Sequence, residues 1–255
     1  MAAGVLLTAL VMGGGAIAGL WAHDFDIFVA RPFESPSAAH NLGTDALGRD
    51  LASRTARAGA LTMLTASMSA LGVATIGGLL GVTAGLRPGA IDRMLVALAN
   101  AVASVPPIVA LLGIGLALGP GYLTVSAAIV LTQWPATFRT LRVESRRLDQ
   151  STFVLAARAM GANPLHIIRS HILPNLRTLG ATIIALQFAW AIRAEAVLAF
   201  LGFSPALEPS WGRMLANAAS QLDRGVWWPA LAAGLPLFLV VLSAQTLADY
   251  AKTRA

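Results

Sequence analysis

Apolar residues run along this chain in long blocks, and the polar breaks between them are short. Six stretches have the length and composition of membrane-crossing helices, at about 3–21, 61–86, 94–118, 122–138, 179–202 and 229–249. Roughly 20 predominantly apolar residues suffice to cross the hydrocarbon layer of a bilayer. The connections fall at about 22–60, 87–93, 119–121, 139–178 and 203–228. The pattern therefore predicts an all-α, polytopic membrane protein of about six transmembrane helices. Several spans are interrupted: Pro106 and Pro107 lie in the third, Pro135 in the fourth and Pro236 in the sixth. Each proline removes a backbone donor and kinks or opens its helix. In lipid the freed carbonyls must face protein or water. A coarse division places the first span and a polar interfacial segment in 1–60, and a core domain with the loop 139–178 in 61–255.

The break at 139–178 differs from the others in being long, basic and itself helical in pattern. Leu141 to Met160 reads as a helix extending the fourth span into solvent. Gly161 suits its end, because glycine adopts the left-handed conformation that closes a helix C-terminus. Asn163 and Pro164 restart a helix, the first as cap and the second at the opening helical position. Leu165, Ile168 and Ile172 then form one apolar stripe flanked by His166, Arg169 and His171, and Pro174 is expected to end the element. So short a stripe does not hold an isolated helix in water. It either folds back on the bundle or docks into a groove of a soluble partner, and the pattern leaves both open.

Composition agrees with the membrane reading. Of 255 residues 56% are hydrophobic and only 12% charged, with a mean hydropathy of +0.70. A soluble domain carries about a quarter charged residues. The net charge of +6 reflects basic residues gathered on one side of a membrane, with no aromatic-interleaved basic run of the nucleic-acid-binding kind. Parity puts eleven of the 18 Lys and Arg residues on the side of the 139–178 loop and both termini, against six on the other. The positive-inside rule makes the first side cytoplasmic. The segment Ala3 to Trp21 lacks a basic leader and is read as a retained span. Cysteine is absent, excluding disulfides and thiolate metal sites.

Catalysis finds no support. The chain has no GxxxxGK[ST] phosphate loop, no His-Glu-x-x-His and no Gly-x-Ser-x-Gly. His23, His40, His166 and His171 have no ligand spacing, the last two being placed on different helix faces. No cofactor or metal is expected on this chain. The charges inside a span are Arg193 and Glu195, which at i and i+2 point to different faces. Such groups are costly in lipid and face a cavity or a partner. Glu195 is read as structural or pathway-lining, and Arg193 as snorkelling outward or meeting a substrate carboxylate. Asp45, Arg49, Asp50 and Arg54 make either an amphipathic interfacial segment or a gate or docking surface. Trp211, Trp227 and Trp228 are read as interfacial anchors, with Trp211 in its Ser-Trp-Gly setting alternatively shaping an outer loop.

The residues Ala156, Ala157, Arg158, Ala159, Met160 and Gly161, followed by Ile172, Leu173, Pro174 and Asn175, resemble the EAA loop of ATP-binding-cassette importer permeases. Three further blocks narrow the likeness to the second permease subunit of the dipeptide/oligopeptide/nickel branch. These are Leu42-Gly43-Thr44-Asp45-Ala46-Leu47-Gly48-Arg49-Asp50 with Ser53 and Arg54, then Ala194 to Gly202, then Pro209-Ser210-Trp211-Gly212. The resemblance covers most of 41–212. It implies a multi-pass permease of a bacterial inner membrane, working by alternating access on peptides or nickel-type chelates. Its partners would be a second permease, two cytoplasmic ATP-binding subunits using ATP and Mg, and an extracytoplasmic solute-binding protein, all around a lipid-embedded path. It further implies that Ala156, Ala157, Gly161, Asn163, Pro164, Leu165, Ile168, Ile172 and Pro174 form the ATPase-coupling loop, with Asn163 to His171 as the coupling helix. Three features depart from the family pattern: Leu155 stands where an acidic residue is usual, Arg193 where an apolar one is usual, and the first span begins almost at residue 1.

Overall fold

The computed structural model describes residues 25–205 and 208–252, so the first expected span, at 3–21, lies outside the described residues. Among the described residues nine α-helices follow in order: α1 Leu51–Leu86, α2 Ala90–Ala103, α3 Pro107–Leu118, α4 Tyr122–Asp149, α5 Thr152–Ala159, α6 Pro164–Ile167, α7 Leu173–Phe200, α8 Trp211–Ala219 and α9 Trp228–Lys252. A π-helical turn, Ile168–Ile172, joins α6 to α7, and a single 3₁₀ turn, Leu222–Arg224, precedes α9. Among the described residues β structure is confined to two isolated bridges, Phe28 with Arg49 and Thr44 with Asp50. The all-α expectation holds.

Among the described residues three helical stretches are long and apolar enough to cross a membrane: Leu51–Leu86, Pro164–Phe200 and Trp228–Thr246. The expected third span meets the same test only as a bent pair, because α2 and α3 meet at 86°. Two consecutive prolines explain why this is a break rather than a kink. Pro106 and Pro107 lack amide donors, and Pro107 instead opens a new helix at its first position.

Helix α1 starts ten residues earlier than hydropathy alone suggests and runs unbroken through residue 60. Asp50 caps it, its carboxylate accepting from the Ser53 amide (2.8 Å) and hydroxyl (2.9 Å). The helix is 36 residues long, roughly 54 Å. Its principal neighbour is α4, which runs parallel to it. Gly77, Gly81 and Gly85, one turn apart, face Trp134, Phe138 and Arg142, also one turn apart. A Cβ on the three glycines would lie 2.8, 2.7 and 2.6 Å from those residues' carbonyl oxygens. Only glycine permits so close a backbone approach, and helices in lipid associate through such contacts because their apolar surfaces gain little by leaving hydrocarbon.

At the other end of the bundle Trp211 ties α8 to α1. It is 3% exposed, its indole N–H donates to the Thr55 carbonyl (3.0 Å), and its ring lies over Gly59. The expectation of an interfacial anchor is corrected here, since a tryptophan with its donor satisfied inside the protein packs as core. Trp228 is half-buried against Gly43, while Trp227 is exposed. Pro135 and Pro236 sit inside α4 and α9 without ending either helix.

The glycine seam yields a stability prediction. Gly81→Leu should lower the stability of the detergent-solubilised protein by about 1–3 kcal/mol or more, as overpacking does. Gly78→Ala, whose added carbon meets only a leucine methyl at 3.4 Å, should stay within about 0.5 kcal/mol of the parent. Thermal unfolding monitored by size-exclusion chromatography reads both; equal effects would contradict the seam.

Candidate functional site

The polar loop between α4 and α7 is built from three short pieces around one glycine. α4 carries Arg142, Glu144, Arg146 and Arg147 past its apolar part and stops at Asp149. The expected continuous helix from Leu141 to Met160 is thus two helices. Ser151 turns the chain, its hydroxyl donating to the Leu148 carbonyl, and α5 follows. Arg158 returns from α5 to pair with Asp149, fixing the angle between the two helices. Glu144 accepts from Arg147 at 2.9 Å, and this hydrogen bond holds its carboxyl below the ordinary glutamate range.

Gly161 has φ +80°, the left-handed geometry expected of it, and its amide donates to the Arg158 carbonyl (2.9 Å) while Ala162 donates to Ala157 (3.0 Å). The Asn163 side chain accepts from the Leu165 amide (2.9 Å) and Pro164 opens α6, as the sequence predicts. Pro174 does not terminate the element. The chain passes through the π turn into α7, with Pro174 in the first turn of that helix, where its missing donor is of no consequence. From Pro164 to Phe200 the chain is therefore one continuous 37-residue helical rod.

The expected stripe of Leu165, Ile168 and Ile172 is also corrected. The π turn shifts the phase, so Ile167 and Ile172 face inward instead, packing with Leu141, Leu148, Val154 and Ala157. Ile172 is 1% exposed, Ile168 half-buried and Leu165 54% exposed. The inner face of the loop thus rests on its own bundle while a second apolar surface looks out. Met160 is 82% exposed, and Leu165, Leu155 and Phe153 are exposed as well, a set of outward apolar side chains that serves as the loop's cap, with Arg169 and His166 also exposed. Leu155, where an acid is usual in the family pattern, belongs to this cap. Ala156 faces out with it and Ala157 faces in. The π turn also brings His166 and His171 together, ring centroids 5.8 Å apart, although an α-helical spacing separates them. Among the described residues no three His, Asp or Glu side chains gather as a metal site.

A contact that sequence reading missed braces this end. Asp92, buried in the first turn of α2, takes a two-pronged hydrogen bond from Arg142 of α4, the Nη2 arm at 2.7 Å. Bidentate arginine–carboxylate pairs are directional as well as strong. The visible signal was an acid three residues past Gly89, at a helix start.

The motif of Gly43, Asp45, Gly48, Arg49 and Asp50 lies at the opposite end as a compact clip of turns. Arg49 donates to Asp45 (2.8 Å) and Asp26 (2.7 Å), and Arg54 donates to the same Asp26 (3.0 Å). Two carboxylates so interleave with two guanidiniums. Gly48 (φ +73°) has no room for a side chain, since its Cβ would lie 2.1 Å from the Ala30 carbonyl oxygen. Asp50 caps α1, and Trp228 donates to the Thr44 carbonyl (3.4 Å), closing the clip on α9.

Glu195 and Arg193 separate as their spacing predicts. Glu195 is 1% exposed inside the subunit, accepting from the Thr62 hydroxyl of α1 at 3.1 Å. Arg193 is exposed on the other side of α7, beside the α2–α3 break.

An all-helical membrane subunit presenting a braced, apolar-capped loop is the class these features define, and comparison with known proteins supplies the family. The chain belongs to the family described as binding-protein-dependent transport system inner membrane component, whose profile matches residues 77–255. It is 33% identical over 231 residues to a protein named as a peptide permease in Brucella suis biovar 1 (strain 1330), covering 89% of this chain and 75% of that one. It is 33% identical over 211 residues to the dipeptide transport system permease protein DppC of Bacillus subtilis (strain 168), covering 82% of this chain and 64% of the relative. In fold it matches an inward-facing structure of the MetNI methionine ABC transporter with a TM-score of 0.61 at 20% identity, over 78% of this chain and 95% of that one. The protein is a permease component of an ATP-binding-cassette importer, as the loop and motif resemblances implied.

The two faces of the loop separate in a mutational test. Ile172→Ala should cost about 2–5 kcal/mol by leaving a cavity, whereas Leu165→Ala should change stability by less than about 0.5 kcal/mol. Thermal unfolding of the solubilised permease compares them, and a large loss at Leu165 would contradict an outward-facing cap.

Proposed function

We propose that the chain is the permease of a peptide importer and that the cap formed by Met160, Leu165, Leu155 and Phe153 seats in a groove of a cytoplasmic ATP-binding subunit. The observation carrying this reading is the pairing of a packed inner face with an exposed apolar outer face on one rigid loop. Exposed apolar groups of this size, rimmed by polar residues, mark interaction surfaces. In this reading Ala156, Gly161, Asn163 and Pro164 shape the loop, and Ile172 and Ala157 fasten it to the bundle. Two ATP-binding subunits use ATP and Mg, a second permease completes the path through the inner membrane, and a solute-binding protein delivers cargo from the far side. The loop and both termini are then cytoplasmic, and the clip around Asp45 and Arg49 faces outward. Peptides are the proposed cargo because the relatives are named for peptide and dipeptide transport.

The mechanism follows from continuity. Closure of the ATP-binding subunits displaces the cap, and the unbroken rod from Pro164 carries that displacement along α7 to the middle of the membrane. The α2–α3 break and the glycine seam give the bundle elements that re-pack as units, and a rigid lever biasing two packings is the physical content of alternating access. A passive channel is the competing reading; it requires ATP-independent conductance and no bound ATPase.

Gly161 offers the test. Its surroundings are open, so only its left-handed backbone resists substitution. Gly161→Val, strained by about 1–2 kcal/mol in that region, should abolish both ATPase co-purification and ATP-driven peptide uptake. Gly161→Asn, which tolerates the conformation, should retain them. Full uptake and association in the valine variant would remove the coupling role.

A further inference from the structure

We infer that the cavity beside Arg193 is a binding site for a carboxylate of the cargo, and specifically for the free C-terminus of a short apolar peptide. The inference rests on the peptide-permease reading and deepens it. The cavity measures about 330 Å³ and lies between the start of α3 and the outer part of α7. Its walls include Pro106, Pro107, Leu111, Trp190 and Val197, and among the described residues that line it Arg193 is the one charged side chain.

Three observations point to an anionic, partly apolar ligand. First, among the described residues the Arg193 guanidinium makes no hydrogen bond or ion pair, whereas Arg49, Arg54, Arg57, Arg142, Arg147 and Arg158 are all paired with acids. A guanidinium carries five donors in a fork that matches a carboxylate. Left against hydrocarbon it is costly, so this face of α7 borders water or an anion.

Second, escape to the membrane surface is disfavoured. Arg193 lies about seven residues before the end of α7 at Phe200, roughly 10 Å along the axis. Side chains on a helix lean toward its N-terminus, here away from that nearer end. Third, the double-proline break turns the N-terminus of the 12-residue α3 toward this cavity, and the partial positive charge there adds to that of Arg193. The surrounding apolar wall accepts the side chain of the peptide's last residue while the cation holds its carboxylate. Glu195, two positions on, is turned into the subunit and accepts a hydrogen bond from Thr62, so it does not pair with Arg193.

The test uses the whole importer reconstituted in vesicles, with its ATP-binding subunits and one fixed solute-binding protein. Labelled alanyl-leucine and its C-terminal amide are the probes. The acid-to-amide uptake ratio of each variant is divided by that of the parent, so the binding protein's own preference cancels. Arg193→Leu should lower the ratio by about ten- to hundredfold, the worth of a lost charge-assisted hydrogen bond, while uptake of the amide stays near the parental rate. Arg193→Lys should restore most of the ratio. An unchanged ratio in Arg193→Leu, or an equal loss for both probes, overturns the proposal. Failure of Arg193→Leu to assemble overturns it too, because Arg193 would then be paired with an acid of the second permease. Absence of ATP-driven uptake of either probe by the parent is a distinct result: it removes the peptide reading itself, and this proposal with it.

Discussion

The parallel contact between α1 and α4 carries the rest of the molecule. Lipid offers these helices no hydrophobic penalty for staying apart, so they are held by the closeness that Gly77, Gly81 and Gly85 allow against the α4 backbone. That contact fixes the direction in which α4 leaves the apolar region, and the Asp92–Arg142 pair locks α2 to the same exit. The loop is then assembled on a surface whose position is already set. Leu141 and Leu148 of α4 form the floor on which Ile167 and Ile172 rest.

The loop gains its two faces from a change of helical period. An α-helix continued from Pro164 would keep Leu165 and Ile172 on one face. Five residues of π-helix rotate that face, so that one apolar set is buried and another is left outside. The π turn costs hydrogen-bond geometry, and the Leu173 amide bonds back to the Ile168 carbonyl as the chain enters α7. A proline that would interrupt a helix interior is placed where its missing donor matters least. A loop that is anchored on one face, exposed on the other and continuous with a membrane span follows from these local choices.

The two ionisable residues of α7 illustrate how two positions in sequence separate two fates. Glu195 is enclosed by the subunit and bonded to one hydroxyl, a fastening between α7 and α1. Arg193 faces the cavity opened by the α2–α3 break. The break shapes that cavity, because a straight third span would present a continuous apolar wall there.

Much of this was legible in the residues. The run lengths of apolar segments determined the membrane class and the all-α fold, because the length needed to cross lipid is a local property. Gly161, Asn163 and Pro164 announced the loop's turn, since backbone conformation is decided by the residue that adopts it. The opposite faces of Arg193 and Glu195 followed from helical spacing alone. Tertiary structure alone decided which face of the loop is inward, that Trp211 is core, and that Asp92 meets Arg142. Each of these depends on what approaches from a distant part of the chain, and a pattern of hydrophobic and polar positions records the need for a partner without recording which surface meets it.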